Sequence, residues 1–371
     1  MTDTTFTIAT LPGDGIGLEV VPVAVRAVDE IAQLHGFSVN WKYFDWGCDY
    51  FLKTGKMMPD DALDVISGDD AIFLGAVGAP GVADHLSLWG MLIPIRRRFD
   101  QHINMRPARI LEGITSPLRD ERAKNFDLIV IRENVEGEYS SIGGRLYSGT
   151  DNELAIQEAV FTRRGVTRAM TFAFDLAKKR SNHVTSATKS NGIIHTMPFW
   201  DEVFEDVSSR YPEATVDQYH IDALVAMFVL DPARFDVVVA SNLFGDILTD
   251  LSAAVAGSIG IAPSANINPS REHPSMFEPV HGSAPDIAGK GIANPIGQVW
   301  SAVMMLEHLG QEAAAAHLMR SMEEVIRRGA TTPDVGGTSN TSEVSDEIVE
   351  QIRRDYSHFS SKTEGDADSE I

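Results

Sequence analysis

Asp246 and Asp250 stand four residues apart in the segment FDVVVASNLFGDILTD, residues 235–250. A helix beginning near Leu243 stacks them on one face, with Cβ atoms ~5–6 Å apart. Carboxylates held that close repel unless a positive charge lies between them. With no thiol and no three-histidine set beside them, that charge is a hard cation with oxygen ligands, Mg²⁺ or Mn²⁺. A solvated acidic helix edge has the same local pattern. The preceding run favours a ligand site, because Val237-Val238-Val239 reads as a strand buried on both faces. Open α/β sheets hold their ligands just past the carboxyl ends of such strands. Lys189 and Asp222 have the same placement, after predicted strands at 183–187 and 216–220. A lysine there can act as a base, since burial lowers its pKa readily, or it can be a solvated loop residue. Shared placement groups Lys189, Asp222, Asp246 and Asp250 into one site.

Arg96, Arg106 and Arg132 each lie at or near the end of a predicted element. Guanidinium grips carboxylates in a planar, two-bond geometry. Taken singly, each also reads as a surface ion-pair partner, the class to which Arg97 and Arg98 are assigned. Local concentration matters because the chain carries a formal net charge of −22. That balance argues against nucleic-acid binding, which needs the opposite sign.

Other bounds come from composition. The chain has 371 residues, 43% of them hydrophobic, enough for a sizeable core in two lobes. Cys48 is the one cysteine, so there is no intrachain disulfide, and a reducing compartment is expected. The N-terminus lacks the basic-then-apolar pattern of a signal peptide, and no apolar run approaches ~18–20 residues. A cytoplasmic protein without a membrane partner is the expectation.

The elements that must position these groups alternate between strand and helix, an α/β pattern. Strands are expected at 5–11, 37–44, 71–77, 127–131 and 155–162, besides those already named. Helices are expected at 16–34, 59–67, 95–99, 163–179, 195–211, 223–229, 294–309, 322–328 and 345–354. Gly13, Gly15 and Gly17 follow the first strand, but their GxGxG spacing is not the dinucleotide fingerprint. Gly143-Gly144 reads as a hairpin loop, and 257–274 as a return crossing between lobes. Residues 277–289 read as a long loop of small residues that lets a ligand approach the backbone. Asp286 in that loop suits a ribose hydroxyl and would repel a 2′-phosphate. The tail from Ser357 is acidic and expected to be disordered.

SNLFGDILTD and EPVHGSAPDIAGKGIANP closely resemble the β-decarboxylating dehydrogenase family, which includes isopropylmalate, isocitrate and tartrate/D-malate dehydrogenases. The similarity runs from about residue 5 to 350. DHLSLWG (84–90) and SATKSNG (186–192) look most like the tartrate/D-malate branch. The resemblance implies an isopropylmalate dehydrogenase-like α/β fold of two domains sharing a large mixed sheet, with a non-Rossmann NAD site. Residues 1–100 and 257–356 would form a discontinuous NAD-binding domain. Residues 101–256 would carry the metal and substrate site and the homodimer contact.

It also implies roles. Arg96, Arg106 and Arg132 match substrate-carboxylate arginines, Tyr139 a catalytic tyrosine and Lys189 a catalytic lysine. Asp222, Asp246 and Asp250 match metal ligands, with Lys189 and Asp222 lent to the partner's site. Glu278, His281, Gly282, Ser283, Ala284, Asp286, Ile287 and Asn294 match the cofactor-binding segment in its NAD form. Trp89 lies on the segment that faces the C3 substituent of the substrate. The implied reaction is oxidative decarboxylation of a 2-hydroxy diacid, D-malate or tartrate foremost and 3-isopropylmalate as the alternative. A need for a monovalent cation is left open. From another class, the aspartates would also serve a metal-dependent phosphate-ester hydrolase.

Overall fold

The computed structural model describes residues 4–119 and 125–367, with side chains to 357. Among them is a ten-stranded mixed sheet. One half is built from β1 (Thr4–Gly13), β2 (Phe37–Tyr43), β3 (Ala71–Ala76), β11 (Pro263–Ile267) and β12 (Ser275–Pro279). The other half uses β4 (Ile103–Arg109), β5 (Asp127–Glu133), β8 (His183–Thr188), β9 (Thr215–His220) and β10 (Val237–Ala240). The order is β2-β1-β3-β12-β11-β4-β5-β10-β8-β9, so the sheet runs unbroken from one half to the other. Pairing is parallel towards both edges and antiparallel along β12-β11-β4-β5 in the middle. A separate hairpin, β6 (Gly143–Leu146) with β7 (Leu154–Gln157), stands apart, all eight residues exposed.

The apolar runs account for the buried strands. β3 and β10 are buried at every position, as strands covered by helices on both faces must be. Helix Gly17–His35 buries Val20, Val21, Ala24, Ala27, Val28 and Ile31 against the sheet, and stops at Gly36, whose φ of 76° suits glycine.

Three strands escape the pattern read from the sequence. β4 (INMRPAR), β11 (PSANI) and β12 (SMFEP) are short, polar and broken by proline. A buried hydrogen-bonded seam holds them instead. Asn104 Nδ2 donates to Ser264 Oγ (2.8 Å) and Asn266 Oδ1 (3.0 Å), and Asn266 Nδ2 donates to Glu278 Oε1 (2.8 Å). Pro107 is tolerated because β11 pairs β4 only from Ile103 to Met105. Glu278 therefore lies in a strand rather than in the long loop, and 257–274 contains β11 rather than a bare crossing.

Other boundaries move less. Gly143-Gly144 opens the first hairpin strand instead of forming its loop, and the strand expected at 155–162 is limited to Leu154–Gln157. The helix expected at 322–328 runs Glu312–Arg327, its Ala-rich start having few large side chains to mark a period. The final helix runs Thr341–Ala367, through much of the tail expected to be disordered, and the side chains beyond Ser357 lie outside the described residues.

Gly245 fixes the distance between helix Asn242–Ala256 and β5. A Cβ added there would stand 2.6 Å from both Cβ and Cγ of Arg132. Gly245→Ala is expected to destabilise the fold by roughly 1–3 kcal/mol through this overlap. Urea unfolding measures it, and an unchanged midpoint would contradict the close packing.

Candidate active site

Helix Asn242–Ala256 follows directly on β10 and is capped by Ser241, whose Oγ accepts from Phe244 N at 3.5 Å. Its spacing turns Asn242, Asp246, Thr249 and Asp250 towards β4 and β5. Arg132 on β5 is 2% exposed; its Nη1 meets Asp246 Oδ1 at 2.6 Å and its Nη2 donates to Asn242 Oδ1 at 2.7 Å. Arg106 on β4 donates to Thr249 Oγ1 at 2.6 Å, with Asp246 at 3.4 Å and Asp250 at 3.9 Å. So the positive charge beside the aspartate pair is guanidinium in this chain. Tyr139 donates its hydroxyl to Asp246 Oδ2 at 2.9 Å, and the Arg132 guanidinium lies over its ring. On helix Ile93–Arg98, Arg96 pairs with Glu278 at 2.9 Å.

These groups converge. Arg96, Arg106, Arg132, Tyr139, Asp246 and Glu278 line one cavity of about 190 Å³, closed by Leu88, Leu92, Val77, His281 and Gly282. Burial lowers the pKa of Arg132 to about 10, with Asp246 opposing, and lowers that of Arg106 as well. Both stay charged. Burial pushes the Asp246 carboxyl up, but Arg132, Arg106 and the Tyr139 hydrogen bond outweigh it, and the net shift is downward. Asp250 moves the other way, raised by burial and by Asp246 with Arg106 only partly offsetting. Two oxygen-donor carboxylates, one short of compensating charge, fit a hard dication. Burial and Asp246 raise the Tyr139 phenol, which keeps it protonated.

Lys189 and Asp222 are placed elsewhere. Lys189 follows β8 and pairs with Asp222 at 2.7 Å, on helix Ile221–Leu230, the Asp222 side chain 68% exposed. Among the described residues no group of three His, Cys, Asp or Glu side chains is arranged to hold a metal. One chain therefore does not assemble the four residues that strand-end placement grouped together. Exposed apolar side chains surround both parts: Ile193 and Ile194 after Lys189, Val229 and Leu230 on the Asp222 helix, Ile247 on the Asp246 helix. The exposed hairpin adds Leu146, Leu154 and Ile156.

The small-residue loop meets the cavity. Gly15 lets β1's turn approach it, since a Cβ there would lie 2.1 Å from Ser283 O, and Ile16 N donates to that oxygen. Glu19 accepts from Gly289 N (2.6 Å) and Gly291 N (2.9 Å), while Ile287 and Ala284 pack on Ile16 and Val20. Gly282 has open space at its Cα. His281 is buried and its pKa is lowered by that burial; Nδ1 donates to Gly282 O, which leaves Nε2 without a partner. Asn294 holds Asp334 and caps Ile296, and Asp286 is exposed. An open glycine edge and an orphaned imidazole nitrogen at the cavity, with an exposed acid further along the same loop, suit a nucleotide cofactor.

Residues 7–348 match the family model for isocitrate/isopropylmalate dehydrogenase. The chain belongs to that family. It is 57% identical over 356 residues to a probable tartrate dehydrogenase/decarboxylase of Bacillus subtilis, covering 95% of this chain and 100% of the relative. It is 52% identical over 358 residues to the decarboxylating D-malate dehydrogenase of Escherichia coli, covering 94% and 99%. Among solved structures, isocitrate dehydrogenase from Methylococcus capsulatus superposes with a TM-score of 0.84 at 35% identity, covering 94% and 99%. The expected dehydrogenase-family fold with its large mixed sheet is the one found.

Two placements around this cavity differ from those expected. Trp89 does not line the arginine cavity; it borders a separate one with Phe51, Met57, Met58 and Leu86. Leu88 and Leu92 face the arginines instead. Residues 88–92 form a π-helical turn, in which Leu88 and Leu92 line the arginine cavity while Trp89 borders the other. Arg97 is the residue missed: it lies over the Trp89 ring, 5.3 Å from its centroid, and Nη2 donates to the Tyr139 carbonyl at 2.8 Å. Arg98 does form the surface pair expected of it, with Asp64. Asn242 and Thr249, which hold the arginines, were legible as neighbours of Asp246 at helical spacing. No helix among the described residues is long and apolar enough to cross a membrane.

Proposed function

We propose that the protein oxidises and decarboxylates a small 2-hydroxy diacid with NAD, D-malate to pyruvate and CO₂ foremost and tartrate as a related substrate. The observation that carries this reading is the cavity in which Arg96, Arg106 and Arg132 converge beside Tyr139 and Asp246. At about 190 Å³ it is small against the roughly 300–1,000 Å³ of pockets for larger ligands. When bound, Mg²⁺ or Mn²⁺ supplies Lewis-acid stabilisation at the C2 oxygen and NAD accepts the hydride.

The chain's own groups supply the rest. Asp246 and Asp250, with Asp222 of a second copy, hold the metal. The 281–287 loop and Asn294 hold the nucleotide, Asp286 taking the ribose. The arginines grip the carboxylates and fix C2 and C3 in the cavity. Lys189 of the second copy accepts the C2 hydroxyl proton as C2 loses its hydride. The C3–C4 bond then breaks to release CO₂, and Tyr139 delivers a proton to C3. Exposed apolar surface around both half-sites, together with the separation of Lys189 and Asp222 from Asp246, supports a homodimer with shared sites.

Substrate size is set in this reading by Leu88 and Leu92, while Trp89 holds Arg97. D-malate and tartrate should give kcat/KM values well above that of 3-isopropylmalate, whose branched group the leucines exclude. Leu92→Ala should narrow that gap by about 10-fold or more, the usual worth of a few methylenes. Trp89→Ala should leave the ratio within about threefold, since it borders the other cavity. A wild-type preference for 3-isopropylmalate would overturn the D-malate assignment. Phosphate-ester hydrolysis without NADH formation would favour the hydrolase reading.

A further inference from the structure

We infer that Glu138 is a positioning residue: it locks the loop carrying Tyr139 to the first turn of helix Asn242–Ala256, so that the tyrosine hydroxyl stays in register with Asp246. The inference rests on the reading in which Tyr139 protonates C3. Glu138 Oε1 accepts from Ser241 Oγ at 2.7 Å, and Oε2 accepts from Leu243 N at 3.0 Å. Both donors belong to the start of the helix, where unpaired N–H groups and the macrodipole favour a carboxylate. Asp246 follows Leu243 by three residues and receives the Tyr139 hydroxyl at 2.9 Å. Adjacent residues of one loop thus grip successive points of one helix.

The loop's other anchors point away from that helix. Glu136 accepts from Thr162 N and Oγ1, Gly137 pairs with Val160, and Ser140 Oγ donates to Glu158 O. These ties fix the loop to residues 158–162. Arg97 draws the Tyr139 carbonyl towards helix Ile93–Arg98. Among the described residues, the side-chain hydrogen bonds from this loop to helix Asn242–Ala256 and its cap are those of Glu138 and of the Tyr139 hydroxyl itself. Without Glu138, only the hydroxyl that must move a proton would maintain the register.

A double-mutant cycle tests this against a purely structural cap. Glu138→Ala should lower kcat for D-malate by about 10- to 100-fold with KM within about threefold, a loss confined to the chemical step. In a Tyr139→Phe background the same change should cost less than about threefold, because the group it positions is gone. Glu138→Gln, whose amide oxygen still accepts from Leu243 N, should recover most of the rate. Amide exchange in the metal-free Glu138→Ala protein should quicken within residues 134–141. Losses that simply add in the double variant would overturn the role, and if Glu138→Ala fails to fold, the cycle is read with Glu138→Met, which keeps the side chain's length but accepts neither bond. No turnover of D-malate by the wild type would overturn the underlying reading and this role with it; wild-type turnover with additive losses overturns the role alone.

Discussion

Asp246→Asn is expected to lower kcat for D-malate by on the order of 10³-fold, since it removes a metal ligand and the acceptor of the Tyr139 hydroxyl together. From the aspartate pair alone, the substitution should relieve repulsion and leave the fold untouched. The surroundings of Asp246 reverse that expectation. Its carboxylate is the partner of Arg132 and Arg106, both more than nine-tenths buried, so an amide there leaves two guanidiniums undercompensated. The Asp246 side chain remains 34% exposed, which moderates the loss to roughly 1–3 kcal/mol. Asp250→Asn provides the contrast. Asp250 is 60% exposed and touches Arg106 only at 3.9 Å, so activity should fall steeply without loss of stability. Kinetics at saturating Mn²⁺ and urea midpoints for both variants separate the two roles. Near-wild-type activity in Asp246→Asn would show that it is not a ligand.

Lys189→Ala and Tyr139→Phe should each be nearly inactive alone, yet regain activity when their subunits are exchanged. Lys189 and Asp222 pair with each other and lie outside the arginine cavity of their own chain. If a second copy brings them in, a mixed dimer has one site with both defects and one with neither. Statistical mixing makes half of the dimers mixed, so recovery should approach about a quarter of wild-type activity. No recovery, with mixed dimers confirmed by mass, would mean that each site is built from one chain.

What could be read beforehand followed the strength of each physical signal. Buried parallel strands such as β3 and β10 are continuous apolar runs, and amphipathic helices carry a period, so both were legible. The central antiparallel strands carry neither signal, because their side chains are satisfied by one another through Asn104, Asn266 and Glu278. Arg96, Arg106 and Arg132 could be picked out by placement, and the structure brings them together. Arg97 could not, since nothing in IRRRF distinguishes the arginine that bonds the Tyr139 carbonyl from the one that pairs with Asp64. Trp89 was placed by its segment alone, and within that segment a π turn over residues 88–92 sets Leu88 and Leu92, not Trp89, at the arginine cavity. Strand-end placement also overreached, as Lys189 and Asp222 share it with Asp246 but not its cavity.

The most direct test of the central claim is a product count. Purified protein is incubated with D-malate, NAD⁺ and Mn²⁺, and NADH, pyruvate and CO₂ are measured in the same sample. The three are expected in equal amounts, with none formed when Mn²⁺ is chelated. NADH without CO₂ would mean oxidation without decarboxylation, and no NADH at all would contradict the assignment outright.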